Sequence, residues 1–261
     1  MALVPLESRL SAGGAGIPVT FIHGFPLDGR MWAPQESVAW GRPVLIPDLA
    51  GFGASPWPEG GASIEDQARM VASTLDERGV ERTILCGFSM GGYVALAAAA
   101  LFPERLAALV LVDTRAAADG AETKAAREQA AARILKEGTG FLVDDMLGKV
   151  LCRKTLEENG ALVSRVRALM AAQKPDAMAG ALLAMRDRPS REEALGRLAC
   201  PVLVIVGAED SFTPPAEARA MAAMAKDGHL VEVSGAGHLS NMEAPEAVNS
   251  ALMTFLKRLS G

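Results

Sequence analysis

An α/β fold built on a mostly parallel sheet is what this sequence predicts, and three observations carry it. Short β-branched runs alternate with Ala-rich segments of helix length. One of those runs passes through a Gly-rich turn straight into a helix. The alternation is broken once, by a long stretch whose apolar residues recur at helical spacing only.

The runs lie at 19–22, 44–46, 83–86, 109–112, 202–206 and 230–233. They are nearly continuous in Val, Ile and Leu rather than alternating with polar residues, which is the pattern of strands buried on both faces and joined by crossover helices. A further short strand is expected near Leu6 to Leu10, followed by a turn at 13–16, where the chain reads Gly-Gly-Ala-Gly. Helical connectors are predicted over 64–78, 91–101, 216–225 and 245–259. Ser63 can cap the first of these, and Asp66 stands in its first turn, where negative charge meets the helix dipole. Between Arg115 and Leu198 no strand is convincing. Four helices are predicted there, at 122–137, 141–151, 156–173 and 176–186, punctuated by Gly138, Gly140 and Pro175. The chain therefore divides into a core of residues 1–114 and 199–261 with a helical insertion, a cap, at 115–198.

Half of the 261 residues are hydrophobic. No apolar run approaches the roughly 18 to 20 residues of a membrane span. The first ten residues lack the basic start, apolar stretch and small-residue cleavage site of a secretory signal, so a cytoplasmic protein is expected. Cys86, Cys152 and Cys200 are scattered and have no metal-ligand spacing, which fits reduced, buried thiols rather than a disulfide framework or a metal site. The net charge is −5, without a block of Lys and Arg, and this argues against nucleic acid or an anionic membrane as partner. A small neutral molecule fits better.

The chemistry starts at 87–92, Gly-Phe-Ser-Met-Gly-Gly. Here G-x-S-x-G stands between a strand and a helix, the context in which the serine hydroxyl protrudes from a sharp turn, so Ser89 is the candidate nucleophile. A plain Gly-rich turn is the bland alternative. A serine needs a base, and the chain has three histidines. His229 opens a strand and His23 ends one, whereas His238 lies in a small-residue loop after the last strand, where open α/β sheets place their sites. His238 is the candidate base, against a plain helix-capping role. The acid that orients the imidazole is expected in the loop after strand 202–206, at Asp210, with Glu209 and Asp113 as rivals. Two backbone N–H groups should stabilise the oxyanion: that of Met90, after the nucleophile, and that of Phe25, in the loop after strand 19–22; Pro26 has no N–H to offer. His23 then buttresses that loop. For the substrate pocket the candidates are Phe88, Phe141, Met146, Met185 and Leu239.

Together, HGFPLD at 23–28, DLAGFGAS at 48–55, GFSMGG at 87–92, Asp210 after its strand, and Gly237-His238 followed by EAPE at 243–246 resemble the α/β-hydrolase superfamily. The likeness is to its branch of small serine esterases, 3-oxoadipate enol-lactonases and non-haem perhydrolases, and it spans the chain outside the insertion. The resemblance implies an eight-stranded, mostly parallel sheet with a helical cap, and hydrolysis of a small carboxylic ester or a lactone without a cofactor. Serine at the elbow separates the chain from the dehalogenase and epoxide-hydrolase branches, which carry Asp there. A ligand-binding protein of the same fold that turns nothing over is the rival from another class. An enol-lactonase must also hold a substrate carboxylate, and Arg127, Arg133, Arg153, Arg165 and Arg167 of the insertion are candidates that spacing does not separate.

Overall fold

The structure, a computed structural model, describes residues 4–11, 13–36, 38 and 40–259. One sheet runs through it in the order β1-β3-β2-β4-β5-β6-β7. The strands are β1 (Ser8–Ser11), β2 (Val19–Ile22), β3 (Val44–Pro47), β4 (Thr83–Phe88), β5 (Leu106–Val112), β6 (Val202–Gly207) and β7 (Gly228–Val233). β1 is antiparallel to β3 and every other pair is parallel.

The sheet thus has seven strands among the described residues, one fewer than the resemblance implies. Ahead of β1 the backbone N–H groups turn to side chains, Leu6 N to Thr74 Oγ1 and Glu7 N to Ser55 Oγ, while Glu7 O accepts from Asp48 N just past β3.

Burial on both sheet faces explains the unbroken apolar runs. β2, β3, β4 and β6 are buried at every position. Successive side chains alternate between two cores. Leu85, Leu109, Leu111, Val202, Val204 and Val206 face one of them, and Ile84, Cys86, Phe88, Val110, Leu203 and Ile205 the other. Outside the insertion the helices are α1 (Ala33–Glu36), α2 (Ile64–Glu77) and α3 (Met90–Leu101) in the first half, with α10 (Pro215–Met224), α11 (Ser240–Glu243) and α12 (Pro245–Arg258) in the second. Ser63 and Asp66 form a reciprocal capping box at the start of α2. α3 is buried from Met90 to Ala99, which its run of alanines allows by letting the helix lie close to the sheet.

Between β5 and β6 the chain is helical throughout: α4 (Ala121–Glu137), α5 (Gly140–Val150), α6 (Arg153–Glu158), α7 (Gly160–Ala171), α8 (Pro175–Asp187) and α9 (Glu192–Arg197). The segment predicted as one helix at 156–173 is two, because the Asn159 side chain accepts from Leu162 N and starts α7 afresh. α9 was not expected; only Leu195 of it is buried, too little for a periodic pattern. α4 packs on α8 and α5 on α7. No helix of the described residues is long and apolar enough to cross a membrane. Cys86 and Cys152 are buried as expected, while Cys200 is only half-buried.

Candidate active site

The turn between β4 and α3 is shaped by close backbone approaches. A Cβ on Gly87 would lie 2.3 Å from Gly91 O, and one on Gly91 would lie 2.3 Å from Ile22 O, so neither position admits a side chain. Between them Ser89 adopts φ 50° and ψ −113°, outside the regions a non-glycine residue ordinarily occupies. The surroundings hold it there. Ser89 N donates to Val112 O at 2.9 Å, and Thr114 Oγ1 donates to Ser89 O at 2.7 Å. The strain has a geometric result: the hydroxyl projects from the end of the sheet instead of packing into it.

That hydroxyl meets His238. Ser89 Oγ lies 2.9 Å from His238 Nε2, and His238 Nδ1 lies 2.8 Å from Asp210 Oδ2. The imidazole is buried and flanked by the rings of Phe88 and Phe212, each with its centroid 5.2 Å away. Asp210 Oδ1 accepts from Phe212 N (2.8 Å) and Thr213 N (3.0 Å), and Oδ2 accepts from Thr213 Oγ1 (2.5 Å). Burial alone would raise the Asp210 carboxyl, but the charge and hydrogen bond of His238 and the donors of Thr213 outweigh it and hold the group below the usual carboxylate range. A carboxylate so held fixes one imidazole tautomer, with Nδ1 protonated and Nε2 free to accept from the serine.

The two rival acids stand apart from this chain of contacts. Glu209 is exposed. Asp113 is fully buried, with φ 45°, and accepts from Gly207 N (2.7 Å), Ser240 N (3.2 Å) and Ser240 Oγ (2.5 Å). It ties the end of β6, which leads to Asp210, to the residue two places after His238. Burial, with the charge of Asp210 nearby, pushes its carboxyl well above the ordinary range. His23 is also fully buried; its Nε2 accepts from Leu49 N at 2.8 Å and its Nδ1 lies 3.1 Å from Gly24 O, so it braces the loop after β2. Burial lowers its pKa, which keeps it a neutral structural ring. His229 lies in β7 and pairs with Asp227 at 3.0 Å.

A cavity of about 400 Å³ opens over Ser89 and His238. Phe25 lines it beside the loop that follows β2, and the amides of Phe25 and Met90 have no hydrogen-bond acceptor among the described residues. Of the pocket candidates, Met146 of α5 and Met185 of α8 line the cavity. The other three lie off its lining: Phe88 is buried beneath His238, Leu239 is 1% exposed in the core, and Phe141 is covered by the Arg133 guanidinium at 3.8 Å from its ring centroid. Thr213 and Phe212 were missed from the sequence, although a Thr three residues after an Asp in a loop is a recognisable turn pattern. Among the described residues no group of three or more His, Cys, Asp or Glu side chains could hold a metal ion.

Residues 21–251 match the family model described as the alpha/beta hydrolase family. This chain belongs to the α/β hydrolases. Among its relatives is 3-oxoadipate enol-lactonase 2 of Acinetobacter baylyi, 28% identical over 233 residues that span 88% of this chain and 85% of that protein. The fold is close to that of a thermophilic esterase from Thermogutta terrifontis, solved with malate bound, at a TM-score of 0.92 and 38% identity over 97% of this chain and 94% of the esterase. It is also close to the enol-lactonase from Burkholderia xenovorans LB400, with a TM-score of 0.89 and 26% identity over 97% and 96% of the two chains. As an α/β hydrolase with esterase and enol-lactonase relatives, the chain carries its helical insertion over the end of the sheet from which Ser89 projects.

Proposed function

We propose that this protein hydrolyses a small carboxylic ester through an acyl-enzyme on Ser89, with His238 as general base and acid and Asp210 as the group that orients it. The observation that carries the reading is the unbroken sequence of hydrogen-bond distances from Ser89 Oγ through His238 to Asp210, 2.9 and 2.8 Å, with the imidazole held between the rings of Phe88 and Phe212. In the first half-reaction Ser89 Oγ attacks the ester carbonyl carbon while His238 Nε2 takes the hydroxyl proton, and the buried Asp210 carboxylate stabilises the imidazolium so formed. The carbonyl oxygen, now negative, is met by the N–H groups of Met90 and Phe25, at the start of α3 and in the loop after β2. Collapse of the tetrahedral species expels the alcohol, which takes the proton from His238. A water then enters, gives its proton to His238 and releases the acid in the mirror image of the first step.

In this reading residues 115–198 act as the cap, and Met146 and Met185 shape the acyl pocket, where their flexible thioethers adapt to chains of different length. The test is a panel of 4-nitrophenyl esters of graded chain length with Ser89→Ala as the blank. The variant should lose several orders of magnitude in turnover, and retention of more than about a tenth would remove Ser89 from the mechanism. The same groups serve for a lactone, in which the leaving alcohol stays tethered. The enol-lactonase relatives favour that second reading, and competition between an anionic lactone and a neutral ester distinguishes the two.

A further inference from the structure

The charges around the cavity do not cancel. Arg115, Arg127 and Lys149 line it, and so do Asp119 and Asp145. Lys149 is paired with Asp145 at 2.8 Å and Arg115 with Glu217 at 3.0 Å, one cation to one anion each. Asp119, by contrast, serves two guanidinium groups: Arg127 Nε at 2.5 Å and Arg188 Nη1 at 2.8 Å. One positive charge is left over at this cluster, although the chain as a whole carries −5.

The surplus falls on Arg127. Arg188 is 4% exposed and fully used, since it donates to Met185 O and Ala117 O, pairs with Asp119 and stacks 3.8 Å above the Tyr93 ring. Arg127, of α4, spends Nε on Asp119 and sets Nη1 3.4 Å from Met185 Sδ, a weak acceptor, and its Nη2 meets no acceptor among the described residues. The buried Asp119 carboxylate clamps the guanidinium from behind, so its remaining donors are fixed before any ligand arrives. A neutral alkyl chain laid against them would strip their water and return nothing, whereas a carboxylate would return charge-assisted hydrogen bonds.

We infer that Arg127 is the anchor for a carboxylate on the substrate, remote from the carbonyl that Ser89 attacks, so that the substrates are monoanionic esters or lactones small enough to span one cavity of about 400 Å³. This rests on the hydrolase reading above. The carboxylate can belong to the acyl chain or to the alcohol. Mono-4-nitrophenyl adipate against 4-nitrophenyl hexanoate examines the first source, and 6-butyryloxyhexanoate against hexyl butyrate the second; within each pair only a carboxylate and a methyl group differ.

The quantity read is the ratio of kcat/KM, anionic over neutral. It should exceed one for the wild type in at least one pair and fall at least about tenfold in that pair for Arg127→Gln, as loss of a charged hydrogen-bond partner requires. Arg127→Lys should restore most of it. Arg133→Gln, which alters a guanidinium of the same helix that does not line the cavity, should leave the ratio where it was. A ratio unchanged by Arg127→Gln in both pairs, or a wild type that prefers the neutral ester in both, overturns the inference and leaves ester hydrolysis standing. Should Arg127→Gln not fold, glutarate decides: competitive inhibition of hexanoate ester hydrolysis that weakens with salt supports the anchor, and no inhibition overturns it. If the protein turns over none of the four esters, the hydrolase reading fails by itself. Thermal stabilisation of the Ser89→Ala protein by glutarate then supports the anchor, and its absence overturns it.

Discussion

Two buried aspartates near His238 differ in what they touch, and the proposed roles follow that difference. Asp210 holds the ring at 2.8 Å, and its carboxyl sits below the usual range. The Asp113 carboxyl accepts from Gly207 and Ser240 instead, and burial pushes it up. Asp210→Asn should lower kcat by about 10³ to 10⁴, because an amide N–H facing Nδ1 selects the wrong tautomer. Asp113→Asn should keep kcat within about tenfold, since its carboxylate touches neither Ser89 nor His238. Steady-state kinetics on the two purified variants check this, and the reverse order would move the role to Asp113. Ser89 and His238 were legible in the sequence because each is set by local chain: a strand, two glycines and a helix for one, a small-residue loop for the other. The choice among Asp210, Glu209 and Asp113 was not, because it depends on which loop ends face each other across neighbouring strands. Thr213 escaped notice for a similar reason, as its hydroxyl has meaning only once Asp210 is known to be held.

Among the elements, the inner strands were the most legible, since burial on both faces keeps their runs almost wholly apolar. The helices of the insertion were less so. Asn159 divides what reads as one helix, and no periodicity reveals which arginine of α4 turns toward the cavity, because α8 decides it by packing against that helix. The junction of these two helices is held by Asp119, 1% exposed between Arg127 and Arg188. Burial would raise its carboxyl, but the hydrogen bond and charge of Arg127 and the charge of Arg188 prevail and lower it. A carboxyl that is lower in the folded than in the unfolded chain stabilises the fold above the unfolded pKa of about 3.9, and that contribution is lost as pH falls through the folded value. Asp119→Asn should therefore cost about 3 kcal/mol at pH 7, where it leaves the buried Arg188 and the half-buried Arg127 without their counter-charge. The gap to the wild type should close below the ordinary carboxylate range. Urea unfolding of both proteins at pH 7 and in acid measures it, and a gap that does not change with pH would contradict the ion-pair account.

At the scale of the whole molecule, a sheet core supplies three loop ends that bring Ser89, Asp210 and His238 together, and the insertion supplies the walls of the cavity over them. The division of labour was visible in the sequence as one break in the strand and helix alternation. The walls themselves were not: Met146 and Met185 line the cavity, while Phe88, Phe141 and Leu239 do not. Net charge is equally coarse, for −5 over the chain says nothing of a local surplus beside Arg127. The central claim, that Ser89 is a nucleophile activated by His238, is tested most directly by trapping it. The protein is treated with a fluorophosphonate, digested, and the adduct located by mass spectrometry. The account predicts one modified residue, Ser89, with labelling abolished in Ser89→Ala and slowed by orders of magnitude in His238→Ala. Labelling at another serine, or an unlabelled wild type, would contradict it.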